Sequence, residues 1–195
     1  MALVMITAAC GGSVASFSPT GTCGADGKVP GAYPALEARL PKDFSGQPPT
    51  TVDSGRHCST EALGSLITHH AAGIEFAGAT WDLGGGTGVT SALFSLPGAD
   101  LPADWIAEFY EIGARTAKRT GNITTSRPVF DGTGATWRLD TLNDLSLQSV
   151  VTWQEGAIVR VVLVATTVSP SASRSAHDDL VTKAVVATVA VQGGS

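Results

Sequence analysis

The chain has 195 residues, a length that suits one domain of ordinary size, and its 43% of hydrophobic residues exclude a fully disordered protein. Its 12 basic and 17 acidic residues give a net charge of −5, which argues against nucleic acid as a partner because phosphate binding needs clustered cations. Charged residues make up only 15% of the chain, a low fraction that is typical of exported proteins.

The N-terminal segment is uncharged and leads directly into a cysteine that small residues flank. It contains the apolar stretch and the small residues of a secretory signal, although the basic start of such a signal is missing. The segment Ile6-Thr7-Ala8-Ala9-Cys10 resembles a bacterial lipoprotein lipobox, with Thr7 where leucine is commonest. This resemblance implies cleavage before Cys10 and acylation of its thiol and its new amino group. A buried N-terminal strand with a free core cysteine is the alternative.

The chain is accordingly divided into three parts. Residues 1–9 are interpreted as a signal-peptide remnant, and residues 10–31 as a lipidated cysteine followed by a flexible tether rich in Gly, Ser, Thr and Pro. Residues 32–195 are predicted to form a single domain. Several acyl chains attach a protein durably to a membrane, so the expected location is extracytoplasmic, with the membrane as a partner through the lipid anchor.

Two cysteines remain when Cys10 is set aside. An even number of cysteines in an oxidising compartment usually pairs, which predicts a disulfide between Cys23 and Cys58. Two alternatives stay open at this point: two separate buried thiols, or a metal site formed by Cys23, Cys58 and His57. The metal site is the weaker of these, because three ligands leave a zinc ion under-coordinated.

Periodicity, capping residues and turn signals divide the domain into helices and strands in the order β-α-β-β-α-β-β-β-α, after one short N-terminal helix. The predicted helices cover residues 32–41, the segment capped by Ser59 and ended by Gly73, residues 102–120 with Gly121 as cap, and a segment capped by Ser175. The predicted strands lie near residues 50–52, 74–83, 89–96 and within 123–168, where 150–153 and 157–167 form a hairpin. The last of these strands is almost continuously apolar, which predicts a central position with Val161 and Val162 buried on opposite faces.

Hairpins separated by single helices predict an α+β fold, an antiparallel sheet with helices packed on it. Three features carry a further resemblance: Leu36-Glu-Ala-Arg-Leu-Pro41 at the start of the domain, Gly46 shortly after it, and the Leu96–Asp100 segment before the Trp105 helix. On these features the chain resembles PsbP/Mog1-like αβα sandwiches and a group of uncharacterised secreted bacterial lipoproteins. The resemblance implies that sandwich over about residues 35–190, and the group carries no known activity to transfer.

No catalytic, cofactor-binding or metal-ligating residue is assigned from the sequence. The glycine-rich segment 84–88 joins two predicted strands and lacks the lysine of a phosphate-binding loop, so a hairpin turn is favoured. The chain contains neither a Gly-x-Ser-x-Gly motif nor a His-Glu-x-x-His motif. Among the four histidines, His70 is expected to be half-buried on a helix and His57, His69 and His177 to lie at the surface.

These observations favour a non-enzymatic, lipid-anchored cell-envelope protein that binds an extracellular protein or a small molecule and uses no cofactor. One alternative is a secreted hydrolase whose site residues lie far apart in the sequence. Another is an envelope carrier that holds an apolar small molecule in a cleft between the sheet and a helix. A deep pocket with a convergent acid and base would favour the hydrolase, whereas an apolar cleft would favour the carrier.

Overall fold

A computed structural model of the chain describes residues 16–168 and 173–191. These residues form an antiparallel eight-stranded sheet with strand order β1-β2-β3-β4-β8-β7-β6-β5. The strands are β1 Gly27–Val29, β2 Thr51–His57, β3 Ile74–Gly84, β4 Thr87–Ser95, β5 Gly121–Ser126, β6 Thr136–Leu142, β7 Ser146–Glu155 and β8 Ile158–Thr167. The α-helices are α1 Pro34–Glu37, α2 Thr60–Leu63, α3 Ala103–Thr116 and α4 Arg174–Ala190, and a 3-10 helix spans Gly64–His69. The predicted α+β class is therefore confirmed.

The two faces of the sheet pack against different helices. Alternate strand residues such as Leu93 and Val151 join a core that includes Val181 and Val185 of α4. Their neighbours along the strands face the 3-10 helix and α3, where the core includes Leu66 and Ile106. The site described below forms where α3 and the 3-10 helix lie over the sheet.

Strand β8 lies in the middle of the sheet, between β4 and β7. Val161 and Val162 are both 0% exposed, the first in the core with the 3-10 helix and α3 and the second in the core with α4. The predicted central position of this strand is confirmed. A continuously apolar strand fits here because helices cover both faces of the sheet.

The folded part of the chain begins before the predicted domain boundary at residue 32. Strand β1 pairs with β2 within the segment that the sequence assigned to a flexible tether. The residues before it also contact the domain: the guanidinium of Arg56 donates hydrogen bonds to the carbonyl oxygens of Gly21 and Thr22, and the Tyr33 hydroxyl donates to that of Pro19. Backbone carbonyls supply these contacts, so residue composition gave no signal for them. Residues 1–15, including Cys10, lie outside the described residues.

The helix predicted from Ser59 to Gly73 is much shorter than expected. Ser59 does cap α2, since its side chain accepts from the Ala62 backbone N–H, but that helix ends after one turn at Gly64. Gly64 has a φ of +51°, a conformation that favours glycine. The chain continues as a 3-10 helix, which keeps Leu66 in the core and leaves Ile67 40% exposed.

The two long helices differ from their predicted boundaries at their ends. Pro102 is the N-cap of α3 and not its first helical residue, and α3 ends at Thr116, before Gly121, which begins β5. Helix α4 is capped by Ser173, whose side chain accepts from the Ala176 backbone N–H, and not by Ser175. No helix among residues 16–168 and 173–191 is long and apolar enough to cross a membrane.

Candidate functional site

A cleft of about 570 Å³ lies between α3, the turn from α2 into the 3-10 helix, and strands β6 to β8. Its floor is formed by sheet residues that face α3, among them Leu139 of β6, Val150 of β7 and Leu163 of β8. Phe109 and Ile112 of α3 line it as well. The cleft therefore has the volume and the apolar lining that are typical of small-molecule sites.

Small residues occupy both walls of this cleft. Gly113 lies on α3, and a Cβ atom built on it would meet no atom within 4 Å. Gly64 faces α3 from the opposite wall, where an added Cβ would lie 3.2 Å from the ring of Phe109. A glycine inside a helix is destabilising by about 0.5–1 kcal/mol relative to alanine. Gly113 therefore lowers the stability of α3 at a position that borders open space.

The cleft also contains a few polar groups. Ser65 lines the cleft, and its buried Oγ atom has no hydrogen-bond partner within residues 16–168 and 173–191. Burial raises the pKa of Tyr110, so this phenol is neutral at physiological pH and can act as a donor. A buried hydroxyl without a partner is destabilising, and a bound polar group can satisfy it. The cleft is thus apolar with a small number of orienting groups.

A second candidate site is a buried polar cluster between strands β6 to β8 and helix α4. Asp140 and Ser149 are directly opposite each other on β6 and β7, and the Ser149 hydroxyl donates to the Asp140 carboxylate. Nε2 of His177 lies 2.7 Å from Ser149 Oγ, and its Nδ1 lies 2.8 Å from the hydroxyl of Thr166. His177 is 1% exposed, so the expected surface position of this histidine is wrong.

The protonation pattern of this cluster differs from that of a catalytic triad. Because Ser149 donates its proton to Asp140, its oxygen accepts the Nε2 proton of His177, and the free Nδ1 accepts from Thr166. In a triad the histidine takes the serine proton, and the acid orients the far side of the imidazole. Ser149 is also 1% exposed. The cluster therefore gives the hydrolase hypothesis no activated serine.

This cluster instead ties helix α4 to the sheet. Arg138 of β6 donates to both Asp140 and Asp178, and Arg174 at the start of α4 donates to Asp140 at 2.7 Å. Burial raises the pKa of Asp178, but the hydrogen bond and charge of Arg138 outweigh it and lower the pKa overall. Burial, and next the charge of Arg138, lower the pKa of His177, which keeps that imidazole neutral. The arrangement is a clamp of paired charges and satisfied hydrogen bonds.

Cys23 and Cys58 lie at disulfide distance, as predicted, with their Cα atoms 5.4 Å apart. This bond pins the N-terminal segment to the start of α2, where Asp26 accepts the backbone N–H groups of Cys58 and Ser59. These bonds, with that of Cys58 first, lower the pKa of Asp26. Within the described ranges, no group of three or more His, Cys, Asp or Glu side chains is placed to hold a metal ion.

The remaining histidines do not meet in one site. His70 was expected to be half-buried and His69 to lie at the surface, and the structure shows the reverse. His70 has a φ of 60° and is exposed, whereas His69 is half-buried, stacks on Trp105 at 4.4 Å and pairs with Glu108 at 2.7 Å. This exchange follows from the change to a 3-10 helix, which rotates each later side chain relative to an α-helix. His57 stacks on Phe76 at 4.6 Å next to the disulfide.

Sequence reasoning assigned no role to the cleft residues or to the residues of the clamp. Asp140, Ser149 and His177 come from β6, β7 and α4, and only the pairing of the strands brings them together. One local signal was available for the cleft, namely Gly113 inside a helical pattern. In comparisons with known proteins, no protein-family model, curated protein or solved structure matches this chain.

Proposed function

We propose that this protein is a lipid-anchored cell-envelope carrier that holds an apolar small molecule in the cleft between α3 and the sheet. The lipobox-like segment ending at Cys10 supports the membrane anchor and the extracytoplasmic location. The helices on both faces of an antiparallel sheet fit a PsbP/Mog1-like sandwich, which we propose as the fold group of this domain.

The observation that carries the proposal is the open space beside Gly113. The sheet presents the half-buried side chains of Val150 and Leu163 toward α3, and the helix provides no side chain at position 113 to cover them further. Apolar surface left in water is unfavourable at about 25 cal/mol per Å², so a molecule that fills this space gains that free energy. At about 570 Å³ the cleft fits a small molecule and is too small for a protein domain.

The proposal is tested by filling the cleft from within. Leucine at position 113 has better helix propensity than glycine, and the free space accepts it, so Gly113→Leu is expected to fold. We expect the wild-type chain to bind the apolar fluorophore N-phenyl-1-naphthylamine. Gly113→Leu should weaken that binding about tenfold or more, because the loss of roughly 1.4 kcal/mol is a factor of ten. Fluorescence titration measures both values.

A matched substitution on the other long helix controls for surface hydrophobicity. Thr182 is exposed on α4, and Thr182→Leu adds the same side chain outside the cleft. This variant should bind the fluorophore as the wild type does. Equal affinity of the wild type and Gly113→Leu would contradict the proposal, as would an absence of binding to the wild-type chain.

A further inference from the structure

A separate cavity of about 520 Å³ lies beside the disulfide and shares no lining residue with the cleft. Two side chains of opposite charge line it, Arg56 of β2 and Glu75 of β3. The rest of its lining is mostly apolar or small, and includes Ile74, Leu96 and Pro97. A pair of opposite charges in such a lining selects for a ligand that is itself both charged and apolar.

Arg56 is a buried cation that has no ion pair among the described residues. Its side chain is 6% exposed, and no carboxylate among residues 16–168 and 173–191 lies within ion-pair distance of it. Two of its N–H groups reach the carbonyl oxygens of Gly21 and Thr22, at 3.0 and 2.7 Å, and its buried Nε atom has no hydrogen-bond partner in the part of the chain that the structure describes. A buried charge is unfavourable unless it is paired and fully hydrogen-bonded. The Tyr33 hydroxyl also interacts with both Arg56 and Glu75. The remaining N–H groups of the guanidinium are donors that a ligand carboxylate can satisfy.

Glu75 stands directly opposite Arg56 in the antiparallel pairing of β2 and β3. Side chains at such positions have Cβ atoms about 4.5–5.5 Å apart, so the two charged groups start from neighbouring points on the sheet. The charge of Glu75 disfavours a simple anion beside Arg56 but attracts an ammonium group. An α-amino acid carries its carboxylate and its ammonium on one carbon, and it can therefore offer one group to each of two opposite charges on neighbouring strands.

One cysteine of the disulfide contributes to the lining of the cavity. Cys23 lines it, and Gly73 allows the sulfur to approach the backbone, since a Cβ at Gly73 would lie 2.5 Å from Cys23 Sγ. Leu96 is half-buried and Pro97 is exposed, and both present apolar surface to the cavity. An apolar side chain of the ligand can pack on this surface while its charged end meets the two strands.

We propose that this cavity binds a free amino acid with an apolar side chain, with its carboxylate on Arg56 and its ammonium on Glu75. Each charged group of the ligand then meets the opposite charge, with the buried Arg56 and the half-buried Glu75 as its partners. This site is independent of the carrier function proposed for the cleft, and either can fail without the other.

Calorimetric titration of the full chain carrying Cys10→Ser, with its disulfide intact, tests the proposal. The probes are L-leucine, 4-methylpentanoate, which lacks the ammonium, and 3-methylbutylamine, which lacks the carboxylate. We expect leucine to bind most tightly. Arg56→Gln should weaken leucine binding about 10- to 100-fold, the usual effect of losing a charged hydrogen bond. Glu75→Gln should weaken leucine binding but strengthen 4-methylpentanoate binding, because it removes a repelling charge.

Two further variants keep the test decisive if Arg56→Gln does not fold. Ala72 is exposed at the rim of the cavity, and Ala72→Phe should block leucine without touching Arg56. Arg119→Gln removes an exposed arginine elsewhere and should leave leucine binding unchanged. The proposal would be overturned if the wild type bound no leucine at about 10 mM, a concentration ten times a dissociation constant of about 1 mM, which corresponds to roughly −4.1 kcal/mol. Equal binding by the wild type and Ala72→Phe would also overturn it.

Discussion

The hydroxyl of Thr166 lies 2.8 Å from Nδ1 of His177, and this contact determines how the buried imidazole can be protonated. Nδ1 accepts the Thr166 proton only while the ring is neutral, since both nitrogens of a protonated histidine are donors. Four charged groups, Arg138, Asp140, Arg174 and Asp178, act on the same ring. The stability of the clamp on α4 therefore depends on pH.

The first prediction concerns the direction of that dependence. Burial, and next the charge of Arg138, lower the pKa of His177 below its ordinary value of 6.5, so the unfolded chain binds the proton at a higher pH than the folded one. The contribution to stability is complete above pH 6.5 and is lost as the pH falls below it. The free energy of unfolding, measured with urea between pH 5 and 8, should decrease toward the acid end of that range.

Substitution of the histidine separates its contribution from that of other groups. His177→Gln should lower the free energy of unfolding by about 1–3 kcal/mol at pH 8, because it disturbs one buried and one part-buried hydrogen bond. It should also flatten the pH dependence below pH 6.5, with a residual slope from His57, whose pKa burial lowers as well. The exposed His70 provides the control, and His70→Gln should retain the wild-type slope. A wild-type slope in His177→Gln would contradict this account.

The second prediction concerns the bond between Cys23 and Cys58. Its removal by Ala substitution at both positions should lower the free energy of unfolding by about 3–4 kcal/mol, since the bond closes a loop of 35 residues. Urea unfolding measures the loss. In the Cys10→Ser chain, reduction should produce the same loss, and thiol labelling without reductant should detect no free cysteine. Labelling of both Cys23 and Cys58 without reductant would show that the bond does not form.

The third prediction concerns the centre of the sheet. Val161→Asp and Val162→Asp should each unfold the domain, because burying an unpaired charge costs several kcal/mol and both residues are fully buried. Circular dichroism and thermal unfolding report the outcome. Val186 lies on α4 and is 49% exposed, so Val186→Asp should leave the melting temperature nearly unchanged. Cooperative wild-type unfolding in either core variant would place β8 in a more exposed environment.

The fourth prediction concerns the membrane anchor, which lies outside the described residues. We expect the mature protein to begin at Cys10 and to fractionate with membranes when it is expressed with a complete signal, because acyl chains on that cysteine hold it there. Cys10→Ser should move the protein to the soluble extracytoplasmic fraction. Mass spectrometry of the N-terminus identifies the cleavage site. A wild-type protein that remains soluble in the cytoplasm with Met1 retained would contradict the prediction.

Much of the fold could be predicted because its signals are local. The hairpin of β3 and β4 follows from two β-rich segments around glycines, and the pair Glu111–Arg115 forms on α3 as the i, i+4 spacing indicates. Helix ends were less predictable. Ser59 marked a true helix start, but the turn at Gly64 ended that helix nine residues before the predicted Gly73, because packing against Phe109 and the core decides where the chain turns.

The sequence by itself determined the α+β class and the central position of β8, and it predicted the pairing of Cys23 with Cys58, because each depends on residue type, on periodicity or on an even count of cysteines. Only the tertiary structure decided where the candidate sites lie. The cleft beside Gly113 and the cavity around Arg56 each combine residues from separate strands, helices and turns. Strand register and helix placement set those distances, and they arise from the packing of the whole sheet and not from any short segment of the chain.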